Sequence, residues 1–196
     1  MVFSKNKRAE AGIGTLILFI AFVIVAAIAA AVLIQTSSAL QSKALATGSK
    51  AQAEVSNGIT IISIMGENAS LVASIDVFTI KVKPMAGSDA LKLNGTYIDF
   101  TSGDVSAAFE FNDTADCSPA SLGALGTTYG VNPRVGYAVP GVLAPSDVVD
   151  LCINVSTRIG EAEPVLIAVS PRSGQFVQAA FETPDIMTSS RMQLFP

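Results

Sequence analysis

The sequence predicts an α+β protein: a long N-terminal hydrophobic helix followed by an antiparallel β-sandwich-like domain, Ig-like or jelly-roll-like. Three observations predict it. Ala11 to Ile34 is an apolar run, and no residue from Gly12 to Ile34 is charged. Beyond Gln35 the apolar and small residues recur at helical spacing as far as Val55. From Ile59 onward the pattern changes to short β-branched and alternating segments separated by Gly, Pro, Asn and Ser.

The helix comes first in the chain. Ala11 to Ile34 spans 24 residues, or roughly 36 Å at the helical rise, which is long enough to cross a bilayer. The basic cluster Lys5-Asn6-Lys7-Arg8 lies immediately before it. By the charge-bias rule that cluster stays in the cytoplasm and the remainder goes outside. Leu33, Leu40, Ala44, Thr47, Ala51 and Val55 continue the helix as one stripe, edged by Lys43, Lys50 and Glu54. Gly48 weakens this half by about 1 kcal/mol relative to Ala. Asn57-Gly58 is the natural stop. The expected organisation is therefore a leader over 1–9, a helix over 10–56 and a β-rich outer domain over 57–196.

Strands are expected over Ile59–Met65, Val72–Lys83, Thr96–Thr101, Ala107–Phe111, Val148–Val155, Val165–Ser170 and Gln175–Phe181. The last two flank Pro171-Arg172-Ser173-Gly174, a hairpin signal. Ala115–Pro145, rich in Gly, Pro and Ser, is expected to be one long loop.

Composition narrows the function. The chain has 12 Lys and Arg against 16 Asp and Glu, and no histidine. An acidic outer domain argues against a nucleic-acid partner, since phosphate binding needs clustered cations. Without histidine, and with two cysteines, the usual general base and the usual zinc ligands are missing. No catalytic constellation stands out, and no cofactor or metal site is assigned. Asp113, Asp116, Asp147 and Asp150 are spaced loosely, lack a calcium-loop signature and read as a solvated acidic surface.

The N-terminus admits three readings. A secretory signal would have a shorter apolar core followed by a small-residue cleavage site. A signal anchor would keep its leader. In the third reading the chain is cut before the apolar run, so that the run survives. Ala9 is then the small residue at the cut, Lys7-Arg8 lie just upstream, and Gly12 takes mature position three.

Lys7-Arg8-Ala9, followed by Glu10-Ala11-Gly12-Ile13-Gly14-Thr15-Leu16 and the run to Ala27, resembles the N-terminus of an archaeal flagellin (archaellin), a type IV pilin-like filament subunit. Gln35-Thr36-Ser37-Ser38-Ala39-Leu40-Gln41-Ser42-Lys43-Ala44 extends the likeness over nearly the first 50 residues. The family's leader peptidase usually cuts after Gly where this chain has Ala9. The expected bond is Ala9–Glu10, with Arg8–Ala9 as its rival and Lys7, Arg8 and Gly12 as recognition residues. Bacterial type IV pilins typically carry Glu at mature position five, where this chain has Gly14.

The resemblance implies a structural protein and not an enzyme. Subunits wait in the cytoplasmic membrane, held by lipid, and then polymerise into an extracellular motility filament whose core is their packed helices. Ile13, Leu16, Ile17, Phe19, Ile20, Val23, Ile24, Ala27, Ile28 and Ala31 are the expected bundle positions. Leu33, Leu40, Ala44, Thr47, Ala51 and Val55 extend the packing surface. The implied partners are further copies (a homopolymer, or a copolymer with paralogous flagellins), a prepilin/preflagellin peptidase, a membrane assembly platform and an oligosaccharyltransferase. The alternatives are an archaeal adhesion pilin and a single-span membrane-anchored binding module that keeps its leader.

Four sequons, at Asn68, Asn94, Asn112 and Asn154, all lie in the exported part, none with Pro in the middle. They are expected N-glycosylation sites, and the family is commonly N-glycosylated. Cys117 and Cys152 make an even count outside the cytoplasm, which fits one disulfide. Two buried free thiols are the alternative.

Overall fold

The computed structural model describes the backbone of residues 4–67, 74–118 and 126–196, with side chains from residue 11 onward in those ranges. The chain forms two compact units, Met1–Lys50 and Ala51–Pro196.

Helix α1 covers Ser4–Ser56 without a break. No proline interrupts it, and the apolar run is rich in Ala, Leu and Ile, so little opposes propagation. Its polar residues do not disturb the backbone ladder. Thr15 donates its hydroxyl to the Gly12 carbonyl (2.9 Å), Thr36 to Val32 (2.9 Å) and Ser42 to Ser38 (3.0 Å). The helix stops at Asn57, whose N–H still reaches the Ala53 carbonyl at 2.9 Å.

The second unit holds β1 (Ile59–Glu67), β2 (Ile75–Pro84), β3 (Leu91–Lys92), β4 (Tyr97–Ser102), β5 (Val105–Phe111) and β6 (Thr128–Val135). It continues with β7 (Val142–Leu143), β8 (Val148–Ile159), β9 (Pro164–Ser170), β10 (Val177–Glu182) and β11 (Arg191–Phe195). Nine strands run in the order β10-β9-β4-β5-β6-β8-β2-β1-β11, and β3 pairs with β7 as a separate ribbon. Every pair is antiparallel except β5–β6, which meet in parallel at Glu110↔Thr128 and Phe111↔Tyr129.

The sheet folds over at that parallel step. Phe78 on β2 packs against Phe100 on β4 with ring centroids 5.1 Å apart, although three strands separate them in the order. One layer is therefore β11-β1-β2-β8-β6 and the other is β10-β9-β4-β5, and a single apolar core fills the space between them. The edge strands β10 and β11 lie beside one another. The expected β-sandwich-like domain is present.

Two sequence expectations need correction. Segment 115–145 is not one loop: it contains β6 and β7. Gly130 and Pro133 disguise β6, yet Tyr129 and Val131 send their side chains into the core. The simple alternation expected along β2 also fails at its start. A bulge between Ile75 and Val77 breaks the register with β8 and turns Ile75 toward the same core as Phe78, Ile80 and Val82.

Candidate functional site

Every described residue from Ala11 to Lys50 is exposed. Phe19 is 67% exposed, Leu33 68% and Leu40 68%, values ordinarily reached by polar side chains. The apolar positions surround α1 in the run up to Ile34 and do not form one stripe. A helix apolar on all sides needs lipid or other helices around it. Of the sixteen expected bundle and stripe positions, Ile13 to Thr47 all lie on this exposed surface, and Ala51 and Val55 are also exposed. Ala11–Ser56 is 46 residues long, more than twice the roughly 20 that a bilayer requires. The back-bonded Thr15, Thr36 and Ser42 let the helix enter an apolar setting without stranded hydroxyls.

The side chains of Lys7, Arg8, Ala9 and Glu10 lie outside the described residues, so the proposed cleavage region is known only as helical backbone. Gly12 is open, with nothing near its Cα hydrogens.

Asn57, where the helix ends, is buried. Its side-chain carbonyl accepts the Asp89 N–H at 2.9 Å and the Ser88 hydroxyl at 3.4 Å, and its backbone carbonyl accepts the Gln175 N–H at 2.9 Å. Gly174, at φ +112, sits against that same carbonyl, where a Cβ would collide with it. The 171–174 hairpin thus does more than join β9 to β10: its end packs against Asn57, the residue that follows the helix. Asn-Gly spacing marked the helix stop, but no local signal marked this clamp.

The sequons differ in setting. Asn94 is exposed beside Gly95 (φ +85), while the Thr96 hydroxyl is buried and donates to the Lys92 carbonyl at 3.1 Å. Asn112 is half-buried, and its carbonyl accepts the Thr114 N–H (3.1 Å) and hydroxyl (2.8 Å). Asn154 is half-buried within β8, opposite Val77. Asn68 lies outside the described residues.

Cys117 and Cys152 form a disulfide with Cα atoms 5.6 Å apart, closing a separation of 35 residues. Leu151 and Ile153 point into the sandwich and Cys152 points out, where it packs with Val77, Ala115 and Cys117 as a small satellite cluster.

The four aspartates are not one solvated surface. Asp113 and Asp116 are exposed, but Asp147 and Asp150 are buried. Asp147 accepts the Ala144 N–H at 2.8 Å and closes a turn. Asp150 is ion-paired with Arg134 at 2.5 Å, and its second oxygen is buried without a partner. Sequence reading missed this pair because the partners are 16 residues apart and meet only across β6 and β8. Among the described residues, no group of three His, Cys, Asp or Glu side chains converges as a metal site would require. Burial pushes the Tyr129 and Tyr137 hydroxyls above the ordinary tyrosine pKa.

The family model for archaeal-type flagellin matches residues 9–180. The chain belongs to the archaeal-type flagellins. Two relatives bear this out. This flagellin is 34% identical to flagellin B2 of Methanocaldococcus jannaschii over 168 residues, covering 86% of this chain and 76% of the relative. It is 36% identical to flagellin B3 of Halobacterium salinarum over 176 residues, covering 88% and 87%. The fold is also that of solved structures. The crystal structure of archaeal flagellin FlaB1 from Methanocaldococcus jannaschii superposes at TM-score 0.60 and 20% identity, over 71% of this chain and 97% of that one. The archaeal flagellum of Methanospirillum hungatei strain JF1 superposes at TM-score 0.70 and 14% identity, over 94% and 99%. As a flagellin the chain is a structural filament protein, not an enzyme, and the anchored binding module is set aside.

Proposed function

We propose that this flagellin reaches its filament through the membrane. The chain is inserted with its basic leader, residues 1–9, on the cytoplasmic side and α1 in lipid. A prepilin/preflagellin-type peptidase cuts at Ala9–Glu10. The helix over 10–56 then leaves the bilayer at a membrane assembly platform and packs among neighbouring helices, while the β-rich domain over 57–196 forms the outer wall. Removing Lys5, Lys7 and Arg8 removes the charges that would resist extraction from hydrocarbon. An oligosaccharyltransferase modifies the exported sequons, and paralogous flagellins share the polymer.

The observation that carries this reading is the exposed, all-round apolar surface of α1. Fully burying one large aliphatic side chain contributes about 1.5–3 kcal/mol. Exchanging lipid for neighbours conserves that gain and adds close helix packing at Gly12, Gly14 and the alanines. Substituting Leu16→Asp or Gly12→Glu should abolish filaments while the β domain stays folded. Normal filaments from both variants would contradict the proposal.

A further inference from the structure

The two outward faces of the sandwich differ in charge: the strands of one hold carboxylates and no cation, and those of the other hold both signs. Strands β4, β5, β9 and β10 contain no lysine or arginine. Their outward residues include Asp99, Glu110 and Glu182, all exposed. The opposite layer holds Lys81, Lys83, Arg134, Arg158 and Arg191 together with Glu67, Asp76 and Asp150, and Asp150 stands opposite Lys81 in the β2–β8 ladder. Lys81 and Lys83 alternate with the core residues Ile80 and Val82, so both point away from the core. Arg191 and Arg134 on this layer are paired with Glu67 and Asp150. Among the described residues, Lys81 and Lys83 have no ion-pair partner.

We propose that the Lys81/Lys83 face of one copy docks against the Asp99/Glu110 face of a second copy in the filament. The inference rests on the filament reading above and names the contact between its outer domains. Three arguments select a second copy as the occupant. The unit 51–196 carries seven cations against fifteen carboxylates, so two copies repel unless their few cations lie at the contact. The spacing matches. Lys81 and Lys83 are two residues apart on one strand, roughly 7 Å. Asp99 and Glu110 are diagonal neighbours across β4–β5, about 7–8 Å apart. Two different complementary faces on opposite sides of one subunit also make a heterologous contact, the kind that propagates into an open helix instead of closing a dimer. Tyr97 and Leu166, 45% and 38% exposed on the acidic face, supply apolar area between its charges.

The test uses native filaments and a zero-length carbodiimide, which joins an amine to a carboxylate only in direct contact. The two faces lie on opposite sides of the sandwich, so a link between them must join two copies. Peptides joining Lys81 or Lys83 to Asp99, Glu110 or Glu182, present in filaments and lost when filaments are dissociated first, are expected. Links from these lysines only to other carboxylates, or none at all, would overturn the proposal. The variants Lys81→Glu/Lys83→Glu and Asp99→Lys/Glu110→Lys should each reduce filament yield at least tenfold. The chain carrying all four changes should regain most of the yield, because both faces are then reversed together. Failure of the combined variant to recover, with its outer domain folded, would also overturn it. A wild-type chain missing from every filament would instead remove the filament reading, and the face pairing with it.

Discussion

Gly130 stands directly opposite Cys152 in the β6–β8 ladder, and the space its absent side chain leaves is where the Asp116 backbone crosses the sheet. A Cβ at Gly130 would lie 2.6 Å from the Asp116 carbonyl oxygen. The crossing segment is held on both sides of that point. The Val131 N–H donates to the Ala115 carbonyl at 3.2 Å, and Cys117 is bonded to Cys152. The glycine and the disulfide therefore form one structural device.

Gly130→Ala should accordingly displace the 115–117 segment. The expected loss is about 1–3 kcal/mol, the range for overpacking a tight site, together with slower closure of the disulfide. Thermal unfolding of the 51–196 fragment and titration of free thiols would check both. An unchanged melting temperature with a complete disulfide would show that the crossing is looser than described.

Opening the disulfide itself, by a reductant or by Cys117→Ser/Cys152→Ser, should destabilise the outer domain by about 2–4 kcal/mol. The closed loop contains β6 and β7, so the constraint acts on the stretch with the least regular sequence. Unfolding midpoints in denaturant, with and without reductant, measure the effect.

The Arg134–Asp150 pair should respond unequally to its two halves. Asp150 is almost fully buried, whereas the Arg134 side chain is 48% exposed. Arg134→Met leaves a buried carboxylate without its counter-charge and should cost about 3 kcal/mol. Asp150→Asn leaves only a cation that water can solvate and should cost about 1 kcal/mol. Chemical denaturation of the two variants would check the order, and a larger loss for Asp150→Asn would contradict it.

Tyr129 predicts a pH dependence. It is fully buried, and its hydroxyl donates to the Thr96 carbonyl at 3.3 Å and the Leu93 carbonyl at 3.4 Å. Burial raises its pKa above the ordinary value of 10.0. The folded state then holds the phenol proton after the unfolded state has released it. Stability is complete below pH 10 and falls as pH rises past it. Tyr129→Phe should flatten that decline while costing about 1 kcal/mol at neutral pH. Melting temperatures between pH 8 and 11 (buffer range) would reveal the difference; parallel curves for wild type and variant would refute it.

How much of this was legible in the sequence follows from the range of each interaction. The helix was readable to its last turn, because an uncharged run without proline and an Asn-Gly stop are local signals. So was the β9–β10 hairpin around Pro171–Gly174, where Val177 pairs with Val169. Strand β6 was not, because Gly130 and Pro133 interrupt its alternation for reasons found on other strands. Strand β11 was missed as well, since Arg191–Phe195 gains its identity from pairing with β1, more than a hundred residues away. Asp150 read as a surface group because its partner is set by the ladder and not by spacing. The difference in charge between the two sandwich faces is likewise invisible until the topology assigns Lys81 and Asp99 to different layers.

In the proposed assembly α1 survives, trimmed of its leader, as the part through which copies join. Mass spectrometry of the N-terminal peptide from filaments sheared off the native cell surface reads this trimming at once. A chain starting at Glu10 or Ala9 that retains Leu16 to Ile34 is expected. A chain that starts at Met1, or one found only in the membrane fraction, would contradict it.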